Sequence, residues 1–222
     1  MRQKMACDFL KDLAKAREYS SEHSAAFLLD SDPLGFNLKS SERSECIAGA
    51  LQCGREVAQT FLDANGELSP YAMAAKLKIK VIEAALTPAR TVISVFDPAV
   101  HTIKLNSIIF EMIDTVMSRY GTGDLFGRFT PQEVAICHEF FHYAESLDDN
   151  LFSKQCKTAI WRVGAFAYES TIPAVSEIGA MACAKSLCQL MVSPLLLDML
   201  VWEGMDSGQA RRWFDKLKRS HP

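Results

Sequence analysis

The chain has 222 residues, of which 49% are hydrophobic and 23% are charged, and its formal net charge is −3. This composition is typical of a soluble globular protein, and the length is sufficient for one large hydrophobic core. Basic and acidic residues are interspersed without a basic run of five, which argues against nucleic acid or an anionic membrane as a partner. No apolar stretch reaches the ~18 residues of a membrane span. The N-terminal residues alternate as in an amphipathic helix rather than a signal peptide, and we expect a cytoplasmic protein.

The seven cysteines indicate the redox environment. None belongs to a C-x-x-C pair, their number is odd, and most lie in apolar helical sequence. This pattern predicts buried free thiols in a reducing compartment. A disulfide or an all-cysteine metal site is the alternative.

The first half of the chain predicts helices followed by strands. Residues 1–43 predict a helix and then a loop, and we treat them as an N-terminal helical extension of a domain that spans 44–222. Helical periodicity covers 46–64, and Ser69 with Pro70 begins a short helix. Three segments rich in Val and Ile predict strands, of which the second and third form a hairpin. These segments are 79–86, 90–97 and 101–106.

The second half of the chain predicts helices alone. Ser107 or Asn106 caps a helix that ends near Tyr120. Thr130, Pro131 and Glu133 then have the N-cap, N1 and N3 positions of a capping box, and this helix continues to about Leu147. Further helices are expected over 154–168, over 173–192, from 194 onward and over 209–218. The sequence therefore predicts a mostly helical α+β protein.

The helix that begins at Thr130 contains the pattern H-E-x-x-H at residues 138–142. At about 100° per residue, His138 and His142 share one narrow polar arc, and most of the remaining circumference is apolar. Two imidazoles one turn apart can bind a single zinc ion, and Glu139 lies beside them as a candidate base. The alternatives are two core histidines with ordinary partners or a metal site without activity.

A catalytic zinc site usually takes a third protein ligand. Glu145 and Asp149 share the histidine face, but Glu145 is about 10.5 Å along the helix from His138, too far for one ion. The third ligand should therefore come from another helix.

Glu177 is the best candidate for this ligand, because it is the only charged residue in "STIPAVSEIGAMACA". A carboxylate on an apolar helix is costly unless it is paired. The alternative is a Glu177 that pairs with a basic side chain such as Arg162. Glu169 is a weaker ligand candidate.

The motifs "HEFFH" and "SEIGAMACAKSL", preceded by "AAKLKIKVIE" and "TIKLN", resemble the gluzincin metallopeptidases, and among them the compact ImmA/IrrE-type family. The resemblance covers about residues 46–195. It implies a minimal zincin-like fold in which a small three-stranded sheet packs on the motif helix. It also implies that His138, His142 and Glu177 bind Zn²⁺ and that Glu139 is the catalytic base.

The same resemblance implies a zinc metallopeptidase that cleaves a protein or peptide, in the family often a regulatory protein. Glu139 would activate a zinc-bound water and pass its proton to the leaving amine. Tyr143 and Tyr168 are candidate donors to the transition-state oxyanion. The strand Thr102, Ile103, Lys104 and Leu105 is the candidate edge on which an extended substrate pairs.

Two other functions remain open at the level of sequence. One is a catalytically silent zincin-like binding or sensing module, and the other is a zinc hydrolase that acts on a non-peptide amide. Glu139 favours an enzyme, because a purely structural zinc site has no use for it. The substrate and the oligomeric state do not follow from the sequence.

Overall fold

The structure, a computed structural model, describes residues 2–66, 68–86, 91–163 and 166–220. These residues form ten α-helices, one three-stranded sheet and one two-stranded sheet. The prediction of a mostly helical α+β protein is confirmed. Among these residues no helix combines the length and the apolar character that a bilayer-spanning segment requires.

Four helices precede the first strand: α1 (Arg2–Ala16), α2 (Ser21–Ser31), α3 (Ser40–Asn65) and α4 (Pro70–Lys76). Helix α3 begins six residues before the predicted start because Glu42 accepts a hydrogen bond from the backbone N–H of Lys39 and completes the first turn. The predicted division between residues 43 and 44 therefore lies inside this helix. Ser69 caps α4 as predicted, accepting a hydrogen bond from the N–H of Ala72.

The larger sheet contains β1 (Lys80–Ala84), β2 (Ser94–Asp97) and β3 (Thr102–Asn106) in the order β1-β3-β2. Strands β2 and β3 form the predicted antiparallel hairpin, and β1 pairs with β3 in parallel. Strand β3 is thus the central strand. Its residues Ile103 and Leu105 are fully buried.

Helices α5 (Ser107–Tyr120) and α6 (Pro131–Leu147) follow the sheet. The predicted capping box of α6 is present. Thr130 Oγ1 accepts from the N–H of Glu133, and Glu133 Oε2 accepts from the N–H of Thr130. These bonds satisfy two backbone donors that the first turn leaves free, and they fix the start of the helix that carries both histidines.

The helix predicted over residues 154–168 is wrong. A short helix α7 (Phe152–Gln155) is followed by an antiparallel hairpin of β4 (Lys157–Val163) and β5 (Phe166–Thr171). This stretch is rich in aromatic and β-branched residues, which favour strands because their side chains pack on a pleated surface. The stacked rings of Trp161 and Tyr168, 6.2 Å apart, are such a cross-strand pair.

Three helices complete the chain: α8 (Pro173–Leu187), α9 (Leu196–Met205) and α10 (Ser207–Leu217). Helix α8 ends before the predicted Val192 because Gln189 adopts a left-handed conformation, with φ of 50°. The N–H of Leu190 then donates back to the carbonyl of Lys185, as in a Schellman ending.

The core surrounds α6, whose Phe140 and Phe141 are completely buried. Helices α3 and α8 pack closely because both contribute glycine. A Cβ at Gly54 would lie 2.2 Å from the carbonyl oxygen of Gly179, and a Cβ at Gly179 would lie 2.3 Å from the Phe141 ring. This approach sets α8 beside α6 and determines the position of the site.

Candidate metal centre

His138, His142 and Glu177 meet where α8 crosses α6. Their donor atoms all lie within 4.8 Å of one another. The two Nε2 atoms are 3.1 Å apart, and the Glu177 oxygens lie 3.3 Å from His138 Nε2 and 3.6 Å from His142 Nε2. Ligands about 2.1 Å from a tetrahedral ion are separated by about 3.4 Å. The three residues can therefore hold a metal ion.

Two expectations for Glu177 follow from the sequence: it is the third metal ligand, or it pairs with a basic side chain. Its carboxylate contacts the two histidines. The side chain of Arg162, the alternative partner, lies outside the described part of the chain. Because Glu177 borders a cavity, 47% of its side chain remains accessible.

His138 and Glu177 shift each other's pKa values in opposite directions. Burial lowers the pKa of His138, but the hydrogen bond and charge of Glu177 outweigh burial and raise the pKa to about 9. Burial raises the pKa of Glu177, and the contact with His138 reverses this and lowers the pKa to about 2. The pair is therefore an imidazolium and a carboxylate at neutral pH, and a metal ion must displace the proton of His138.

Glu145 orients the ring of His142 through a hydrogen bond at Nδ1. Its Oε2 accepts a hydrogen bond from His142 Nδ1 at 2.9 Å and a second from Ser176 Oγ at 2.7 Å. Burial raises the pKa of Glu145, but the hydrogen bonds outweigh it and the pKa is lowered. With the proton on Nδ1, Nε2 of His142 is free to bind a metal, as in the carboxylate–histidine pairs of zinc enzymes.

Glu139 is buried, with 3% of its surface exposed, and borders the same cavity. Ser94 Oγ, at the start of β2, donates a hydrogen bond to its Oε1 at 2.6 Å. A buried carboxylate held by one hydroxyl has a fixed orientation and keeps capacity to accept a further proton. This is the arrangement that a general base requires.

The residues of the site line a cavity of about 490 Å³. Apolar side chains from several elements form much of its wall, among them Leu28, Met181 and Leu197. Asp198, in the first turn of α9, also faces it. Burial, and then the charge of Glu177, raise the pKa of Asp198 to about 7. The cavity thus contains a carboxylate that the sequence analysis did not assign to the site.

Several predicted site residues lie elsewhere. Tyr143 packs its ring against Phe96, 5.7 Å away, and Tyr168 lies exposed on the β4–β5 hairpin. Neither tyrosine lines the cavity, and the role of either as an oxyanion donor stays a prediction. Glu169, the weaker ligand candidate, is exposed on β5, outside the group that can hold a metal.

The prediction that residues 102–105 provide a free strand edge is wrong. These residues form β3, which pairs with β1 on one side and with β2 on the other. Both rows of its backbone groups are used within the sheet, so no substrate strand can be added there. Within the described residues β2 has a partner only on its β3 side, and its residues Ser94, Val95 and Phe96 line the cavity.

Three residues of the site, Ser94, Ser176 and Asp198, were not predicted from the sequence. Asp198 carried a usable signal, since it is an isolated acid in the apolar run "PLLLDMLVW", the same argument that identified Glu177. The serines carried no signal, because a hydroxyl that contacts a glutamate on another element is defined only by tertiary contact.

Two imidazoles and one carboxylate form a donor set that suits a divalent metal ion and leaves room for a further ligand. The adjoining carboxylate of Glu139 can accept a proton from a molecule held between it and the metal. In comparisons with known proteins, no family model, no curated protein and no solved structure matches this chain.

Proposed function

We propose that this protein is a zinc-dependent metallopeptidase that hydrolyses peptide bonds of a protein or peptide. The observation that carries the proposal is the set of donor separations of 3.1, 3.3 and 3.6 Å among His138, His142 and Glu177, with Glu139 beside them. The resemblance of "HEFFH" and "SEIGA" to the gluzincin motifs supports zinc and peptide hydrolysis.

In the proposed reaction His138, His142 and Glu177 would hold the zinc ion, which would serve as a Lewis acid toward the scissile carbonyl and the attacking water. Glu139 accepts the proton of that water, while Ser94 holds the carboxylate in place at 2.6 Å. Glu139 then passes the proton to the leaving amine. Glu145 keeps the proton of His142 on Nδ1 throughout, so that Nε2 remains a ligand.

The edge of β2, rather than that of β3, is the strand edge on which an extended substrate would pair. An extended peptide that pairs with β2 would pass along the cavity wall, beside Ser94 and Glu139. The apolar part of the cavity would receive side chains next to the scissile bond.

The test combines metal analysis with peptide cleavage. The wild type should bind one zinc ion per chain and cleave members of a diverse peptide library read by mass spectrometry. Glu139→Gln should retain the zinc and lose at least roughly 100-fold in cleavage rate, because the base is gone and the ligands remain. Glu111→Gln, an exposed change on α5, is the matched control and should cleave like the wild type.

Each other outcome has a definite meaning. Zinc binding without peptide cleavage would contradict the peptidase and leave the two other functions, a zincin-like binding or sensing module and a zinc hydrolase that acts on a non-peptide amide. A protein that binds no zinc contradicts all three functions, and full activity in Glu139→Gln shows that the base is another residue.

A further inference from the structure

Cys46 and Cys156 form a thiol pair outside the metal centre. Their sulfur atoms lie 2.7 Å apart, although 110 positions separate them in the sequence. Cys46 lies on α3, and Cys156 is the residue between α7 and β4. The pair therefore joins a core helix to the base of the β4–β5 hairpin.

The packing of α7 on α3 holds the two thiols together. The ring of Phe152 lies so close to Gly49 that a Cβ there would be 2.3 Å from its Cζ atom. Gly49 follows Cys46 by three residues, and Phe152 precedes Cys156 by four, so each is about one helical turn from its cysteine. The N–H of Cys156 also donates to the carbonyl of Phe152 at 2.8 Å. This contact brings the sulfur atoms into register.

The pKa of Cys46 is shifted in the opposite direction from the pKa values of Cys156, Cys53 and Cys183. A hydrogen bond from Cys156 lowers the pKa of Cys46, and the same bond raises the pKa of Cys156. Burial raises the pKa of Cys53 and of Cys183. Because the thiolate is the reactive form, Cys46 is a better nucleophile than Cys156, Cys53 or Cys183.

Small reagents can reach the pair. Cys46 and Cys156 both line a surface cavity of about 870 Å³ between α3 and the hairpin. Cys46 is itself buried, with 6% of its surface exposed, and Cys156 is half-buried, so a reagent reaches the pair through this cavity. Cys53, Cys137, Cys183 and Cys188 are buried as well, and this cavity does not include them.

We propose that Cys46 and Cys156 are a reversible disulfide site that exchanges with small-molecule disulfides such as oxidised glutathione. The Cys46 thiolate attacks one sulfur of the reagent, forms a mixed disulfide and releases the first reduced thiol. Cys156 then loses its proton and attacks the Cys46 sulfur, which releases the second reduced thiol. Two protein thiols are oxidised and one reagent disulfide is reduced.

The proposed Cys46–Cys156 disulfide tethers the segment between α6 and α8, the helices that carry His138, His142 and Glu177. Residues 148–172 link α6, with its two histidines, to α8, with Glu177. The disulfide anchors the middle of this segment to α3. In the unfolded chain it closes a long loop and so restricts the conformations available to that chain. We expect oxidation to raise the melting temperature by roughly 5–10 °C.

The experiment equilibrates the full-length chain with oxidised glutathione, blocks free thiols and maps tryptic peptides without reduction. A link should join residues 44–55 to residues 155–157. Peptide 44–55 also contains Cys53, so the variants Cys46→Ser, Cys53→Ser and Cys156→Ser identify the partner. The link and the rise in melting temperature should persist in Cys53→Ser, disappear in the other two variants and reverse with dithiothreitol.

Gly49→Ala provides a second test that keeps every thiol. The added methyl group displaces Phe152, so the link should form at least several-fold more slowly than in the wild type. The proposal is overturned if the product is only a mixed disulfide with glutathione, if the link uses Cys53, or if Cys156→Ser shows the same redox-dependent melting temperature. None of these readouts requires peptidase activity.

Discussion

The three glutamates of the metal centre differ in role because each faces a different atom. Glu177 faces the Nε2 atoms of His138 and His142, Glu145 faces the other nitrogen of His142, and Glu139 faces Ser94. Position alone thus distinguishes the three carboxylates, and it fits the proposed roles of Glu177 as a metal ligand, Glu145 as an orienting group and Glu139 as a base. Each role predicts a different defect on replacement.

Replacing Glu145 by Gln should weaken zinc binding about 10–100-fold, because His142 loses the charged acceptor that fixes its tautomer and orientation. Competition with a chromophoric chelator would measure the affinity. Glu111→Gln serves again as the exposed control. Wild-type affinity in Glu145→Gln would show that the 2.9 Å bond to His142 does not support the metal.

Zinc binding should depend on pH through His138. The pKa of His138 is raised to about 9 by its contact with Glu177, against burial, and the ion must displace that proton. Affinity should therefore rise with pH, by up to roughly tenfold per unit between pH 6 and 8, and level off near pH 9.

Calorimetry in buffers of different ionisation enthalpy would count the released proton. His101→Gln is the matched control, because His101 is exposed and lies outside the donor group, and it should keep the same slope. An affinity that is constant over this range would mean that His138 is already neutral before the metal binds.

Among the helices, the close packing of α3 and α8 helps to place Glu177 beside the two histidines of α6. The small residues of α8 allow it to lie against α3 and α6 at once, and Glu177 lies two residues before Gly179 on the same helix. A displacement of α8 should therefore affect both stability and metal binding.

Gly54→Ala tests this packing. A Cβ would lie 2.2 Å from the Gly179 carbonyl and 2.7 Å from the Ala182 methyl group. Alanine is the better helix former by about 1 kcal/mol, but the helices must separate, and we expect the free energy of unfolding to fall by about 1–3 kcal/mol. Zinc affinity should fall as well.

Urea denaturation followed by circular dichroism would measure the loss. Gly123→Ala is the control, because no atom of the described residues lies within 4 Å of its Cβ position, and it should leave stability nearly unchanged. Equal stability of Gly54→Ala and the wild type would show that the α3–α8 contact adapts without cost.

In the whole molecule, the N-terminal helices belong to the same core as α6 and α8, the helices of the candidate metal centre. Phe9 and Leu13 of α1 and Phe27 of α2 join the hydrophobic cluster that contains Phe140 and Phe141 of α6. Leu28, beside Phe27, lines the site cavity. The sequence analysis treated this region as an extension, whereas its side chains help to build the wall of the site.

Phe27→Ala should lower the free energy of unfolding by about 3–5 kcal/mol, because it empties a buried aromatic position in that cluster. Phe36→Ala, with the original ring 72% exposed, is the matched control and should change stability little. Denaturation of both variants would provide the comparison. A small loss in Phe27→Ala would indicate that the N-terminal helices pack without supporting the core.

Prediction from the sequence succeeded where the signal was local. The capping box of Thr130 and Glu133 and the Pro70 start of α4 depend on residues within one turn, and the structure has both. It failed over residues 157–171, where a short apolar run fits a helix or a strand almost equally well. The hairpin forms because its residues find partners across the turn, which a single segment does not reveal.

The fold class, the helix that carries His138 and His142, and the need for a carboxylate from another helix could be predicted from the amino-acid sequence. These predictions rest on side-chain periodicity and on the cost of an isolated buried charge. Three features required the folded chain: Glu177 meets both histidines, Ser94 and Glu145 hold their partners, and β2 rather than β3 lies at the sheet edge. Helix crossings and strand order depend on packing between segments far apart in the chain, and local sequence carries little information about either.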